Sequence, residues 1–345
     1  MSPGSPIEKV AQIYPIRGNL PDDLFITCAS FEERFLGAPT RIRGKFPKQF
    51  VLFRFSHPNQ RRESLIKNME RTLSLSMHKQ GYYQIEVRHG KSVEGVLELH
   101  SFLTEKELNT EALHVTVDIS TFTKDLLFNL MLYLVSHLNI KKLRLLYTIP
   151  EGYASPDEGW LSYGIESVHI PPMGWNAWSP LKYNLLIIIL GFEEMRAWSL
   201  IDKFSSDLNW LFVTSPGSKP AWNNYCQQYN KRLLREIHAK GTLPALNPAQ
   251  VFQVLSAHVT REISEKYNIF IAPLGTKAQL VGTLPFSIPG SDISMNVITT
   301  SVVDHNVPYY SWGVGDSFEF FLHTEVANHG SGLDGLLPKR DVGHP

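Results

Sequence analysis

The sequence predicts an α/β fold: two tandem Rossmann-like units with mainly parallel sheets, related by internal duplication. Three observations predict it. Short β-rich runs alternate with longer amphipathic runs along the chain, the pattern of strands joined by helices that cover both faces of a parallel sheet. The 345 residues suffice for two cores, at roughly 150 residues per domain. Segments of the first half also recur in the second, in the same order.

The recurrences are specific in residue type. Leu24-Phe-Ile-Thr-Cys-Ala-Ser-Phe-Glu-Glu-Arg34 is echoed by Leu186-Ile-Ile-Ile-Leu-Gly-Phe-Glu-Glu-Met195, and Val51–Phe55 by Trp210–Thr214. Val115–Lys124 is echoed by Ile269–Lys277, each closing on Thr-Lys, and Ser162-Tyr163-Gly164 by Ser311-Trp312-Gly313. Any two α/β units share strand–turn–helix patterns, which accounts for the strands. It does not account for Thr-Lys and Ser-aromatic-Gly returning in register.

In the first half, strands are expected at Leu24–Ala29, Phe50–Phe55, Tyr83–Arg88, Leu113–Ile119 and Lys142–Tyr147, with helices near 31–37, 61–78, 92–108 and 123–138. In the second half, strands are expected at Leu185–Leu190, Trp210–Val213, Asn268–Ala272 and Ile293–Thr299. Helices are expected near 192–204, 220–238, 248–266 and 276–284. Ile170–Pro180 is rich in Pro, Gly and Trp, so regular structure should break there. The expected organisation is a first unit over 20–169, a linker over 170–182, a second unit over 183–325 and a loose tail over 326–345.

Composition bounds the function. Lys+Arg and Asp+Glu are both 33, so the net charge is zero, unlike proteins that coat DNA or RNA, which carry a basic excess. A local basic pocket stays open. Cys28 and Cys226 are too few for a disulfide framework and fit a reducing cytoplasm. Met1–Val10 lacks a basic segment leading into an apolar one, so no signal peptide is expected. The longest apolar run, Leu185–Leu190, is far short of a membrane span.

In a doubly wound sheet, ligands bind beyond the carboxyl ends of the strands, where the recurring motifs fall. Phe31 and Glu32 follow the first strand, and Phe192 and Glu193 follow its counterpart. Two readings stay open for these acids. Ser30 with Glu33 has capping-box spacing; alternatively a glutamate bonds a ribose hydroxyl or acts as a general base, with Glu33 and Asp118 as the catalytic candidates. Thr123-Lys124 and Thr276-Lys277 each follow a strand and open a helix, where a lysine opposes the helix dipole. Either both lysines point into water or a bound anion faces them, with Ser120, Thr121 and Gly275 adding donors or close backbone approach. Asp118, at the end of its strand, has only Ala272 or Pro273 as its counterpart, so the halves are chemically unequal.

Other signals fall away. Gly90-Lys91-Ser92 lies between a strand and a helix, but a P-loop needs glycine where Ile85 stands. Thirteen histidines show no metal-ligand spacing, so no metal or cofactor is expected. Cys28 ends an apolar run as a small buried residue would. The amide-rich stretch Trp222–Asn230 is either an exposed helix face or a source of hydrogen bonds to a base edge.

The turn Asp118-Ile-Ser-Thr-Phe-Thr-Lys124 resembles the Asp-x-Thr-Gly-Gly-Thr-Lys turn of CRISPR-associated Rossmann-fold (CARF) sensor domains, and Leu274–Lys277 resembles its second part. Such domains pair to hold a cyclic oligonucleotide across a two-fold, and a chain with two halves looks like the fused SAVED relatives of bacterial anti-phage systems. The resemblance implies a cytoplasmic regulatory protein that binds a nucleotide between its halves and signals through a separate effector protein. A nucleotide-cleaving enzyme using the same cleft, or a non-catalytic scaffold of a defence complex, are the alternatives. The family's glycine pair is replaced by Thr121-Phe122, which narrows the backbone approach.

Overall fold

The computed structural model describes residues 11–12, 17–18, 22–41, 43–44, 47–55, 60–76, 82–88, 90–108, 112–153, 161–174, 176, 178–288, 291, 293–306 and 310–322. The expected tail over 326–345 lies outside them. Short strands β1 (Ala11–Gln12) and β2 (Arg17–Gly18) precede β3 (Leu24–Cys28). A 3-10 turn, Glu33–Leu36, and α1 (Gly37–Arg41) stand where one helix was expected. Then come β4 (Arg43–Gly44), β5 (Gln49–Phe55), α2 (Gln60–Ser76), β6 (Tyr83–Val87), α3 (Ser92–Glu105), β7 (Leu113–Asp118), α4 (Lys124–His137), β8 (Ile140–Thr148) and β9 (Ser162–His169).

The second half opens with β10 (Tyr183–Leu190), whose run of Leu and Ile is buried on both faces, as a central parallel strand requires. It continues through α5 (Glu194–Lys203) and β11 (Leu208–Thr214). The expected helix over 220–238 is broken. It becomes a 3-10 turn at Pro220–Trp222, then α6 (Tyr225–Tyr229) and α7 (Leu233–Glu236), because Pro and clustered Asn favour turns over helix continuation. An unexpected edge strand, β12 (Ala239–Leu243), follows; it is mostly exposed and carries no hydrophobic period. The helix expected over 248–266 splits into α8 (Pro248–His258) and α9 (Arg261–Lys266), where the Thr260 hydroxyl caps the second piece. After β13 (Tyr267–Pro273) and α10 (Lys277–Thr283), the strand expected over Ile293–Thr299 splits into β14 (Asn296–Val297) and β15 (Thr299–His305), and β16 (Ser317–Leu322) follows.

Two mainly parallel sheets result. The parallel part of the first runs β6-β5-β3-β7-β8, and the second runs β12-β11-β10-β13-β14. Each reads third, second, first, fourth, fifth in chain order, the doubly wound arrangement whose switch point lies between the first and fourth strands. β16 falls within the span expected for the second unit. It nevertheless pairs antiparallel with β8 of the first sheet, opposite Leu143–Thr148. β9 and β15, one from each half, form an antiparallel ribbon.

The core is continuous across the halves, with Val117 and Leu126 in one cluster with Ile187 and Ile271. α4 is apolar nearly all round, and Leu126–Val135 are buried, as befits a helix enclosed on all sides. It contacts α10, its counterpart after the fourth strand of the other sheet, and also β15. That pairing brings the carboxyl ends of both switch points together.

Candidate anion-binding site at the junction of the sheets

Two arginine–glutamate pairs, each crosslinked to the opposite half, frame the junction. In the first half, Arg34 grips Glu32 in a bidentate ion pair: Nε donates to Oε2 and Nη2 to Oε1, both at 2.9 Å. The Glu32 carboxylate also accepts from Ser311 Oγ of the second half at 2.6 Å. In the second half, Arg196 Nη1 donates to Glu193 Oε2 at 2.5 Å, and Ser162 Oγ of the first half donates to Glu193 Oε1. The repeated Phe-Glu-Glu and Ser-aromatic-Gly segments therefore meet crosswise.

The lysines cross in the same way. Lys277, from the second half, lies in the fields of Arg34, Glu32, Cys28 and Asp118 of the first. Lys124, from the first half, lies in those of Arg196 and Glu193 of the second, and of Lys277. Both are partly buried, and among the described residues neither makes an ion pair. Burial, reinforced by Arg34, draws the Lys277 ammonium down to about 7. Burial, with Arg196 and Lys277 adding repulsion, holds Lys124 well below the ordinary lysine range. Burial alone would push Glu32 up, but Arg34 and Lys277 outweigh it and keep the group below its usual range. Tyr310 lies in the fields of Glu32, Glu193, Arg34 and Arg196.

Arg34 is 2% exposed beside the buried Tyr147 hydroxyl, and its Nη1 makes no close hydrogen bond; Arg196 Nε is likewise buried without one. Buried donors are rarely left in that state, and guanidinium nitrogens suit oxyanions.

Several expected contacts are otherwise engaged. Asp118 is fully buried, accepting from Ser120 N–H at 3.1 Å, from the Ser120 hydroxyl and from Thr27 Oγ1 at 3.4 Å. Burial raises it to about 6. Thr121 Oγ1 donates to Cys28 O at 2.6 Å, and Thr276 Oγ1 to Ala245 O at 2.5 Å, so these protons are committed within the protein. Thr123 Oγ1 caps α4. The capping box expected at Ser30–Glu33 does not form. Ser30 Oγ accepts from Glu32 N–H at 3.2 Å, and Glu33, which is exposed, accepts from Gly313 N–H. A true capping box stands at Thr276 and Gln279. It explains Gly275, where a Cβ would meet Gln279 Oε1 at 1.9 Å; at the neighbouring Gly191 a Cβ would instead meet the backbone, Leu274 O at 2.5 Å.

The aromatics flank the junction unequally. Phe31 lies under Arg62, 5.0 Å from ring centroid to Cζ, and meets the Tyr310 ring at 6.1 Å. Phe192 sits among Tyr153, Tyr225 and Tyr229, stacked on the last at 5.3 Å. Asn230, in the stretch read either as an exposed helix face or as a source of hydrogen bonds to a base edge, is buried and donates to Gly191 O and Cys226 O. Arg34, Arg196 and Tyr310 escaped sequence reasoning. The available signal was an arginine closely following the acid pair in both halves.

Fold and site together define an α/β protein with two mainly parallel sheets and a basic junction between their switch points. The chain matches no protein-family model, and no curated protein matches it. Among solved structures it is similar to a protein assigned as a universal stress protein of Pseudomonas aeruginosa UCBPP-PA14. That similarity has 9% identity over 81% of this chain and 93% of that one, with a TM-score of 0.22, which carries no argument. No helix among the described residues is long and apolar enough to cross a membrane.

Proposed function

We propose that this chain is a cytoplasmic regulatory protein of bacterial defence. It binds a phosphate-bearing nucleotide, cyclic oligonucleotides included, between two α/β units that arose by duplication, and it acts through a separate effector protein. The observation that carries the reading is the crossed pair of basic clusters: Arg34 with Lys277, and Arg196 with Lys124, around two guanidinium nitrogens that make no close hydrogen bond. The shared strand order of the two sheets supports the duplication. Because each cluster draws residues from both halves, a ligand that neutralises it also stabilises one arrangement of the halves over others, as a sensor requires. The resemblance of Asp118–Lys124 to CARF turns supports the ligand class, although Phe122 is packed in the core where that family has glycine.

Cleavage is the less favoured reading. Asp118 is sealed under Ser120 and Thr27, and Glu33 is engaged by Gly313. The hydrogen bonds these carboxylates already accept count against either one taking a proton from a ligand.

The test is mass spectrometry of small molecules released on denaturing the purified protein, followed by thermal shifts against linear and cyclic nucleotides. The expected result is a nucleotide that raises the melting temperature of the wild type, is recovered intact, and fails to stabilise Lys124→Ala and Lys277→Ala. A panel without any shift and an empty extract would sink the nucleotide reading and leave the scaffold role. Breakdown of the nucleotide would make the chain an enzyme.

A further inference from the structure

We propose that His169 and Asp125 form a proton-operated clasp that fastens the β9–β15 ribbon to the first turn of α4, holding the two halves together more tightly in slightly acid solution than in slightly alkaline. The ribbon takes one strand from each half, and it touches α4. At one end of it, His169 Nε2 lies 2.9 Å from Asp125 Oδ1, with the side chains 31% and 16% exposed. Thr299, directly opposite His169 in the ribbon, closes a triangle: its Oγ1 is 3.1 Å from His169 Nε2 and donates to Asp125 Oδ1 at 3.4 Å. Asp125 is itself anchored. The Ser92 hydroxyl of α3 donates to its Oδ2, and Asn129 Nδ2 bonds both that hydroxyl and Asp125 O at 3.1 Å. The carboxylate is thus the fixed half of the clasp, and the imidazole is the half that changes.

A proton sets the strength of the contact, because a charge-assisted bond is roughly twice as strong as a neutral one. The hydrogen bond to Asp125 and its charge outweigh burial and raise the His169 imidazole above its ordinary 6.5. The other neighbours are uncharged: Ser167 of β9, 3.5 Å from Nδ1, Thr299 of β15, and Val168, Ile170, Phe204 and Ile298, which with His169 line a cavity of about 290 Å³. Glu166 of β9 is exposed and accepts from Ser301 of β15 at 3.4 Å. The ion pair is therefore fully formed below the ordinary histidine range and weakens as pH rises through the raised value. The effect reaches the junction through β15. Thr299 serves Asp125, while the next residue, Thr300, accepts from Arg196 Nη2 at Oγ1, 2.6 Å, and at its carbonyl, 3.3 Å. Lys124 directly precedes Asp125 on α4. Loosening the clasp frees the ribbon beside a lysine and an arginine of the junction.

The full chain without ligand serves for the test. The His169 Cε1–H resonance, assigned by its absence from His169→Gln, is titrated by NMR in the wild type and in Asp125→Asn. It should titrate above 6.5 in the wild type and fall to 6.5 or below in the variant. Backbone hydrogen exchange over Thr299–His305, corrected for its intrinsic pH dependence, reports opening of the ribbon. From pH 6 to 8, opening of the wild type should increase relative to His169→Gln, by up to about tenfold for each pKa unit of elevation that NMR finds. Glutamine keeps a donor for Asp125 but does not titrate, and Asp118, Lys124 and Lys277 titrate in both proteins, so the comparison isolates the imidazole. A His169 that titrates at or below 6.5, or a titration unmoved in a folded Asp125→Asn, overturns the clasp. So does ribbon exchange with the same pH response in the wild type and His169→Gln, and that comparison decides alone if circular dichroism shows Asp125→Asn unfolded. These outcomes leave the nucleotide reading where ligand binding puts it.

Discussion

At the scale of single residues, Lys277 shows the conflict between stability and binding. Its ammonium is partly buried without an ion pair, and its drop from 10.5 to about 7 records what desolvation costs. Replacing it with methionine should raise stability at pH 6 by something on the order of a few kcal/mol, because a desolvated cation is removed and an apolar chain fills the space. The same change should abolish the response to anions. Urea unfolding of Lys277→Met measures the first effect; a destabilised variant would show that Glu32 and Asp118 hold the lysine more tightly than burial disfavours it. A gain in stability matched by a loss of binding is the mark of a residue kept for function.

At the scale of elements, β16 is held by charge as well as by its ladder. Arg144 on β8 is 1% exposed; its Nε donates to Thr116 Oγ1 at 2.8 Å, Nη2 pairs with Asp22, and Nη1 lies 3.6 Å from Glu319 of β16. Arg144→Ala would strand two buried carboxylates, at a cost of about 3–5 kcal/mol. Chemical denaturation should show that loss, with Asp22→Asn and Glu319→Gln together recovering part of it. A loss under about 1 kcal/mol would mean the hydrogen-bond ladder alone seats the strand. β12 and β16 also mark where sequence patterning fails. β12 is an exposed edge strand of Ala-Lys-Gly-Thr-Leu, with little to bury and so no period to read. β16 was not among the expected strands, and its pairing with β8, across about half the chain, leaves no local trace.

At the scale of the whole molecule, the site imposes a pH profile. Asp118 holds its proton up to about 6 in the native state and only to 3.8 when unfolded. The native state binds the extra proton in that window, so stability falls as pH rises through it. Lys277 titrates at about 7 when folded and 10.5 when unfolded. There the unfolded state binds the extra proton, so stability rises with pH across that window. Asp118 thus gives a falling acid limb and Lys277 a rising alkaline limb, which Lys124, also held well below the ordinary lysine range, steepens. Unfolding free energies from pH 4 to 10 test both limbs. Asp118→Asn should flatten the acid limb and Lys277→Met the alkaline one, and a wild-type maximum near pH 6.5 would contradict both assignments. An anion at the junction should flatten the alkaline limb, since it favours the charged lysine.

The sequence by itself determined the α/β class, the nine principal parallel strands apart from β12, and the two lysines and two glutamates that line the junction. It could do so because strand and helix periods and residue types at strand ends are local properties. Only the tertiary structure decided that these residues cross, so that each half's lysine serves the other half's arginine–glutamate pair. It also turned Asp118, Ser120 and Thr121 inward and brought Arg34, Arg196 and Tyr310 into the site. Those outcomes depend on how α4 packs on α10 and where β9, β15 and β16 lie. Contacts between distant segments are set by packing and charge in three dimensions, which one-dimensional spacing does not carry.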